Sequence, residues 1–242
     1  MRFRLWHALV FVLALAIFAV ARAPAAYFAP QRPGVFTYDS ASGTVWRAAF
    51  EGVRIGPYQA RSMTWRLSPF DLVQGKARLP LTFSQGTIEG EAMLLANWRN
   101  DRRLYVSTLR LEGAPLGAVL APGETHIGEL DVFFDDGNCA AAAGQLESDV
   151  LVRAGQALNW SGPPLSGGAV CDGEDALVRL TGTNEAGESV AALMILSGDG
   201  AAQWRISVQT DRPETEAALA AAGFARGPEG LGRSEEGRWL PF

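Results

Sequence analysis

Histidine is almost missing from this 242-residue chain: His7 and His126 are the only two. A nucleophile activated by imidazole therefore has one candidate base beyond the N-terminal run, and no nucleophile motif accompanies it. His126 reads as a strand-edge residue before IGEL. Positive charge is also in short supply. The 21 lysines and arginines face 26 acidic residues, and the longest basic cluster, Arg99, Arg102 and Arg103, is interrupted by Asn100 and Asp101. A nucleic-acid partner needs a cationic stripe that releases counterions, so this composition argues against one. The glycine-rich stretches GPPLSGG and GPEGLG lack the lysine and the strand-to-helix setting of a phosphate cradle. Two cysteines, with no histidine nearby, make half a zinc site at most. Asp135-Asp136 and the Asp172, Glu174, Asp175 group lie in DDGN and CDGED. Asp-Gly is turn chemistry, and the spacing of a calcium loop is missing. No catalytic, metal or cofactor-binding residue is expected, and no small-molecule substrate.

What the chain does have starts at its N-terminus. Arg2 and Arg4 precede a run without charge, Leu5 to Ala21. As a helix this run covers about 26 Å, close to the roughly 30 Å hydrocarbon core of a bilayer. Ala21-Arg22-Ala23 resembles a signal-peptidase site, but the apolar run is longer than a signal sequence needs and Pro24 follows the cut. The expectation is an uncleaved single-pass anchor over 1–22. The positive-inside rule puts its N-terminus in the cytoplasm and the bulk of the chain in the periplasm. Cys139 and Cys171 would then sit in an oxidising compartment and read as one disulfide.

Beyond the run, residues 23–41 are proline-rich and read as a spacer, with Tyr27 and Phe28 as candidate interfacial anchors. Residues 42–224 read as a mainly β domain. Short extended segments bounded by Gly, Pro, Asp or Asn recur throughout, among them TVWRAAFEGVRI, MTWRLS, KARLPLTF, RLYVSTLRLE, LESDVLVRA, ALVRLTGT, VAALMILSG and QWRISVQT. In RLYVSTLRLE, strict alternation would place Tyr105, Ser107, Leu109 and Leu111 on one face. Pro80 marks an edge or a bulge. Helices are expected at PLGAVLA, from Pro115, and at PETEAALAAAGF, where Pro213 fits the first turn and Gly223 the stop. Residues 225–242, glycine-rich and charged, read as a flexible tail. Gly43, Gly86, Gly128 and Gly168 recur at steps of about forty residues, a weak sign of stacked units. Trp46, Trp65, Trp98, Trp160 and Trp204 lie in or beside strands and read as sheet or groove packing. Trp46 would then face Trp65 across the first hairpin.

The order of motifs resembles type II secretion system protein N. A basic start and single anchor come first, then SGTVW (Ser42–Trp46) and TWRLSPFDLVQG (Thr64–Gly75). GELDVFF (Gly128–Phe134) follows, and last a cysteine-bounded segment ending PLSGGAVCDGEDALVRL. The family pattern falls on Gly43, Thr44, Trp46, Trp65, Pro69, Leu72, Gly75 and Gly128. The resemblance implies a non-catalytic inner-membrane component of the type II secretion machinery. It would act through periplasmic protein–protein contacts with other inner-membrane components, and with the outer-membrane secretin as a further candidate partner. GTVW also recurs in AsmA-like proteins, whose long curved antiparallel sheets handle lipids. The alternative implied is therefore a lipid-handling or lipopolysaccharide-transport-related envelope protein.

Overall fold

The computed structural model describes residues 11–12, 15, 18–116, 119–157, 160–221, 223–227 and 230–238. Its strands are β1 (Phe36–Thr37), β2 (Ser40–Thr44), β3 (Arg47–Ile55), β4 (Tyr58–Arg66), β5 (Lys76–Gly86), β6 (Ile88–Asn97), β7 (Arg102–Leu116) and β8 (Val119–Asp135). They continue with β9 (Asn138–Ser148), β10 (Leu165–Asp172), β11 (Asp175–Thr183), β12 (Ser189–Leu196), β13 (Ala201–Gln209), β14 (Ala225–Gly227) and β15 (Gly230–Arg238). All fifteen join one antiparallel sheet, in which sequence neighbours are hydrogen-bonded almost throughout. β1 and β2 both lie outside β3, and β14 lies outside β15, so the sheet does not close. The helices are short: α1 (Pro69–Val73), α2 (Val150–Ala157) and α3 (Pro213–Ala221).

Much of the expected anchor falls outside the described residues. Residues 11, 12, 15 and 18–21 are helical. Among the described residues no helix is long and apolar enough to cross a membrane.

The sheet carries its hydrophobic core in sections. Phe50, Val53, Ala60, Met63, Phe83 and Ile88 bury one face of β3–β6. Phe50 is fully buried and packs its ring against Phe36, Tyr38 and Trp65, whose centroid lies 4.8 Å away. In the second section Val106, Leu130, Val132 and Phe134 meet Ala176, Val178 and Leu196. β7 and β8 thus face β11 and β12 without hydrogen-bonding to them as strands, because the intervening sheet curls. The Arg102 guanidinium spans the same gap, donating to the Gly198 carbonyl at 2.6 Å. A third section joins Trp160, Leu165, Val190, Val208 and Leu231 to Leu219 of α3.

Several local expectations change in this context. The supposed spacer is docked: Ala25 and Ala29 are buried in the first core section, and β1 and the start of β2 lie within 23–41. The described residues of PLGAVLA belong to β7 and β8 rather than to a helix, with Ala114 opposite Ala121 and Leu116 opposite Val119. Antiparallel pairing of β7 with β8 overrides a helical propensity that is weak over so short a segment. LESDVLVRA splits instead, half strand and half helix. Val150 N–H donates to the Ser148 hydroxyl at 3.4 Å and Arg153 bonds Asp149 at 2.7 Å, so a side-chain cap and an i,i+4 ion pair start α2. The expected tail instead supplies β14 and β15, and β15 pairs with β13 from Val208–Leu231 to Ala201–Arg238. Residues 228–229 and 239–242 of it lie outside the described residues.

Alternation in β7 breaks at Ser107. The β6–β7 register shifts between Glu91 and Ala92, leaving Ser107 as the extra residue. A bulge inverts the phase of the strand, so Leu104 and Val106 share the core side with Leu109 and Leu111. Pro80 sits inside the sheet, yet at a local edge. β4 pairs β5 only over Leu81–Gly86, so the proline's missing N–H faces no partner strand. The four glycines of the suspected repeat play unlike parts: Gly43 has φ +85°, while Gly86, Gly128 and Gly168 do not need the left-handed region.

Candidate functional site

Because the strands run antiparallel in chain order, their connections alternate between two ends of the sheet. One end gathers the β2–β3 turn, the α1 connection and the β6–β7 turn into a single corner. Its first element is the turn at Val45–Trp46. Gly43 approaches it with φ +85°, and a Cβ there would stand 2.2 Å from the Arg47 carbonyl oxygen, so only glycine fits. Thr44 pairs with Arg47 to close the turn. Trp65 does not face Trp46. It lies opposite Ala48, and its indole Nε1 reaches over to donate to the Val45 carbonyl at 3.1 Å. The Trp46 carbonyl in turn accepts from Leu67 N–H at 2.8 Å.

The second element is α1. Ser68 caps it by accepting from Asp71 N–H at 3.4 Å, Pro69 occupies its first turn, and Asp71 favours the positive end of the helix dipole. Leu72 is half-buried, whereas Phe70 and Val73 are 78% and 85% exposed. At Gly75, φ is +80° and a Cβ would meet the Trp98 indole at 2.4 Å. Trp98, from the β6–β7 turn, donates its backbone N–H to the Gly75 carbonyl at 3.3 Å and remains 80% exposed. Thus Gly43, Thr44, Trp46, Trp65, Pro69, Leu72 and Gly75 come together in one corner. Gly128 does not: it lies within β8, between Thr108 and Gln145.

Two grooves open at this corner. One, of about 750 Å³, lies between Val20 and Ala21 of the N-terminal helical residues and Trp46, Arg47, Arg66, Leu67, Ser68 and Pro69. The other, of about 710 Å³, crosses β2–β7 and is lined by Trp65, Leu81, Ala92, Met93, Tyr105 and Ser107 among others. They share Arg47 and Arg66, which are paired opposite each other on β3 and β4. Sequence reasoning did not single out this pair, because its partners are fixed by register rather than by spacing along the chain. Trp46 and Trp65 line different grooves.

The carboxylates flagged in the sequence do serve turns. Asp136 and Gly137 both have positive φ, 48° and 86°, as a tight hairpin between β8 and β9 demands. Asp172 pairs with Asp175 around Gly173. At the same sheet end Asp101 and Asp135 interact. Hydrogen bonding from Asn97 holds the Asp101 carboxyl below the usual aspartate range, and the Asp101 contact pushes that of Asp135 up. Among the described residues no group of three or more His, Cys, Asp or Glu side chains could hold a metal ion. His126 lies exposed in β8, with its Nε2 3.2 Å from a Glu124 oxygen. Glu124 itself is gripped by the Arg110 guanidinium through two hydrogen bonds, which holds its carboxyl low.

Cys139 and Cys171 form the expected disulfide. Its position has a structural logic. β9 and β10 pair only over Gln145–Ser148 and Leu165–Gly168, so the ladder is open towards the cysteine end. There the covalent bond, with Cys139 N–H donating to the Glu174 carbonyl at 2.9 Å, holds the parted strands together.

The comparison with curated proteins gives no match, and neither does the comparison with solved structures. The family described as "Type II secretion system (T2SS), protein N" matches residues 36–232, from β1 into β15. That stretch includes both strands of the first hairpin, α1, the exposed tryptophan turn and the disulfide. On this match across most of its length, the chain belongs to the type II secretion system protein N family.

Proposed function

We propose that this protein is a non-catalytic component of the type II secretion machinery. In this reading it is anchored once in the inner membrane, has its N-terminus in the cytoplasm, and uses its sheet in the periplasm to bind other inner-membrane components and the outer-membrane secretin. The family match over 36–232 carries the reading. The two open edges of the sheet supply a means, since an exposed strand can hydrogen-bond an added strand from a partner. The edges differ. At one end β2 offers Ser40, Ala41, Ser42 and Gly43, small and uncharged, with no other strand outside them. At the other, β14 covers only Gly230–Gly232 of β15, leaving a segment that carries Arg233, Glu235 and Glu236. Charge on an edge discourages strand addition, so β2 is the edge for a partner.

A photo-crosslinker placed at Ser42 in intact membranes should capture identified secretion components, and one at Ser234 should capture fewer. Deleting the gene should leave exported proteins in the periplasm. Undiminished secretion in the deletion, with no secretion component captured, would overturn the reading. The second reading, lipid handling, draws on the open groove bearing Trp65, Leu81, Met93 and Tyr105. It predicts lipid co-purifying with the protein and lost on Met93→Glu.

A further inference from the structure

The corner where the N-terminal helical residues meet the sheet combines three features that the secretion reading leaves unused. The first is apolar exposure. Phe11, Val12, Leu15, Phe18 and Val20 are all more than half exposed, and the exposure continues onto Phe70, Val73 and Trp98. Large apolar side chains left in water forgo the stabilisation that burial would give. A contiguous group marks a contact surface.

The second feature is attachment. Ala23 accepts from Val45 N–H at 3.0 Å and Pro24 bridges Thr44. Ala25 is buried in the first core section. The chain leaving the apolar run is thus bonded to the Trp46 turn with no free linker, and whatever surrounds the run also meets α1.

The third is charge. Arg47 and Arg66 stand opposite each other on adjacent strands, both exposed, and neither makes a salt bridge among the described residues. Like charges directly opposite destabilise a strand pair unless an anion lies between them. Guanidinium groups hold phosphate oxygens by paired N–H donors. Further along the same sheet end the turns become acidic, with Asp135, Asp136, Asp172, Glu174, Asp175 and Asp199. Phosphate-rich surfaces are repelled there and attracted at the corner.

We infer that this corner is a second membrane contact, in which Phe70, Val73 and Trp98 enter the leaflet from which the chain emerges and Arg47 with Arg66 holds a phospholipid phosphate. The occupant is the bilayer itself. The contact would fix the tilt of the sheet on the membrane and so the direction in which the β2 edge is presented. This inference rests on the anchored reading proposed above.

The test uses the full chain in phospholipid nanodiscs, with single spin labels at Leu15→Cys, Phe70→Cys, Val73→Cys and, in the β11–β12 turn at the far end, Glu185→Cys. The native cysteines are tied up in their disulfide. Relative accessibility to oxygen and to a water-soluble nickel complex reports depth. Labels at 15, 70 and 73 should be lipid-exposed, and the label at 185 aqueous. In Arg47→Gln/Arg66→Gln protein the labels at 70 and 73 should lose their immersion while the label at 15 keeps it. A lipid-exposed label at 15 with aqueous labels at 70 and 73 overturns the inference and leaves the anchor intact. An aqueous label at 15 overturns both. Unchanged immersion at 70 and 73 in the double arginine variant refutes the phosphate role.

Discussion

The two halves of the sheet manage their polar and apolar groups in opposite ways. From β8 onward the structure is tied down. The disulfide closes the parted β9–β10 seam, and two ion pairs, Glu124 with Arg110 of neighbouring β7 and Asp149 with Arg153, are joined by the Glu124 backbone N–H donating to Asp149 Oδ1 at 2.6 Å. The Glu188 carboxylate, 3% exposed, accepts from Trp160 Nε1 at 2.6 Å, Asn184 Nδ2 at 2.7 Å and Thr210 Oγ1 at 2.5 Å. It thereby links the α2–β10, β11–β12 and β13–α3 connections. From β1 to β6 a strong aromatic core around Phe50 sits beside a corner of exposed Phe70, Val73 and Trp98 and two arginines facing each other. Folded chains bury apolar groups and pair charges where they can. That corner supplies the apolar side chains and the facing arginines that the proposed membrane contact would use.

Experiments that alter one half at a time sharpen this contrast. The largest effect should come from Phe50→Ala. Emptying that ring's site should cost up to about 5 kcal/mol, measured by urea unfolding, and hydrogen exchange should rise first in β3–β5. Removing the disulfide with Cys139→Ser/Cys171→Ser should cost about 3.5–4 kcal/mol by loop entropy, given residues 32 apart. Here exchange should rise in Cys139–Gly144 and Ala169–Asp172 while β3–β6 stays protected. If both variants deprotect the whole sheet equally, the halves are one cooperative unit and the contrast is confined to their surfaces.

Glu188→Gln should cost roughly 2–3 kcal/mol, because buried donors lose a charged acceptor. Its pH dependence has a definite sign. Burial pushes the Glu188 carboxyl up, but hydrogen bonds from Thr210, Asn184, Trp160 and Thr215 outweigh burial and hold it below the ordinary glutamate value of 4.5. A depressed folded-state value gives stability that is present above the unfolded value and lost as pH falls through the folded one. Thermal midpoints followed from pH 6 downward should therefore fall below about pH 4.5, and more steeply in the parent protein than in the Gln variant. The smallest effect belongs to Phe70→Ser/Val73→Ser. These side chains touch little, so unfolding should stay within about 0.5 kcal/mol of the parent. A large loss of stability would mean that they pack within the fold and are no contact surface.

Particular residues show where sequence reasoning reached and where it stopped. The antiparallel, mainly β class was legible, because alternating segments separated by turn residues leave few other architectures. The DDGN turn was legible for a local reason: Gly137 and Asp136 accept positive φ, and two-residue hairpins require it. The helix at Pro213–Ala221 was legible from its own start and stop residues. PLGAVLA and LESDVLVRA were misread because hairpin pairing in the one and a side-chain hydrogen bond at the start of α2 in the other outweighed their propensities. The corner itself was half legible. The glycines and tryptophans of SGTVW and TWRLSPFDLVQG were singled out, but their mutual placement was not.

The linear chain by itself determined the strand-rich class, the disulfide partners and the turn glycines, since each depends on the chemistry of neighbouring residues or on there being only one possible pairing. Only the tertiary structure decided that Arg47 faces Arg66, that Trp65 bonds Val45 rather than meeting Trp46, and that Trp98 covers Gly75. Those pairings follow from strand register and from the docking of α1. Both are set by many small contacts across the whole sheet, and no short stretch of sequence holds enough of them to show the result.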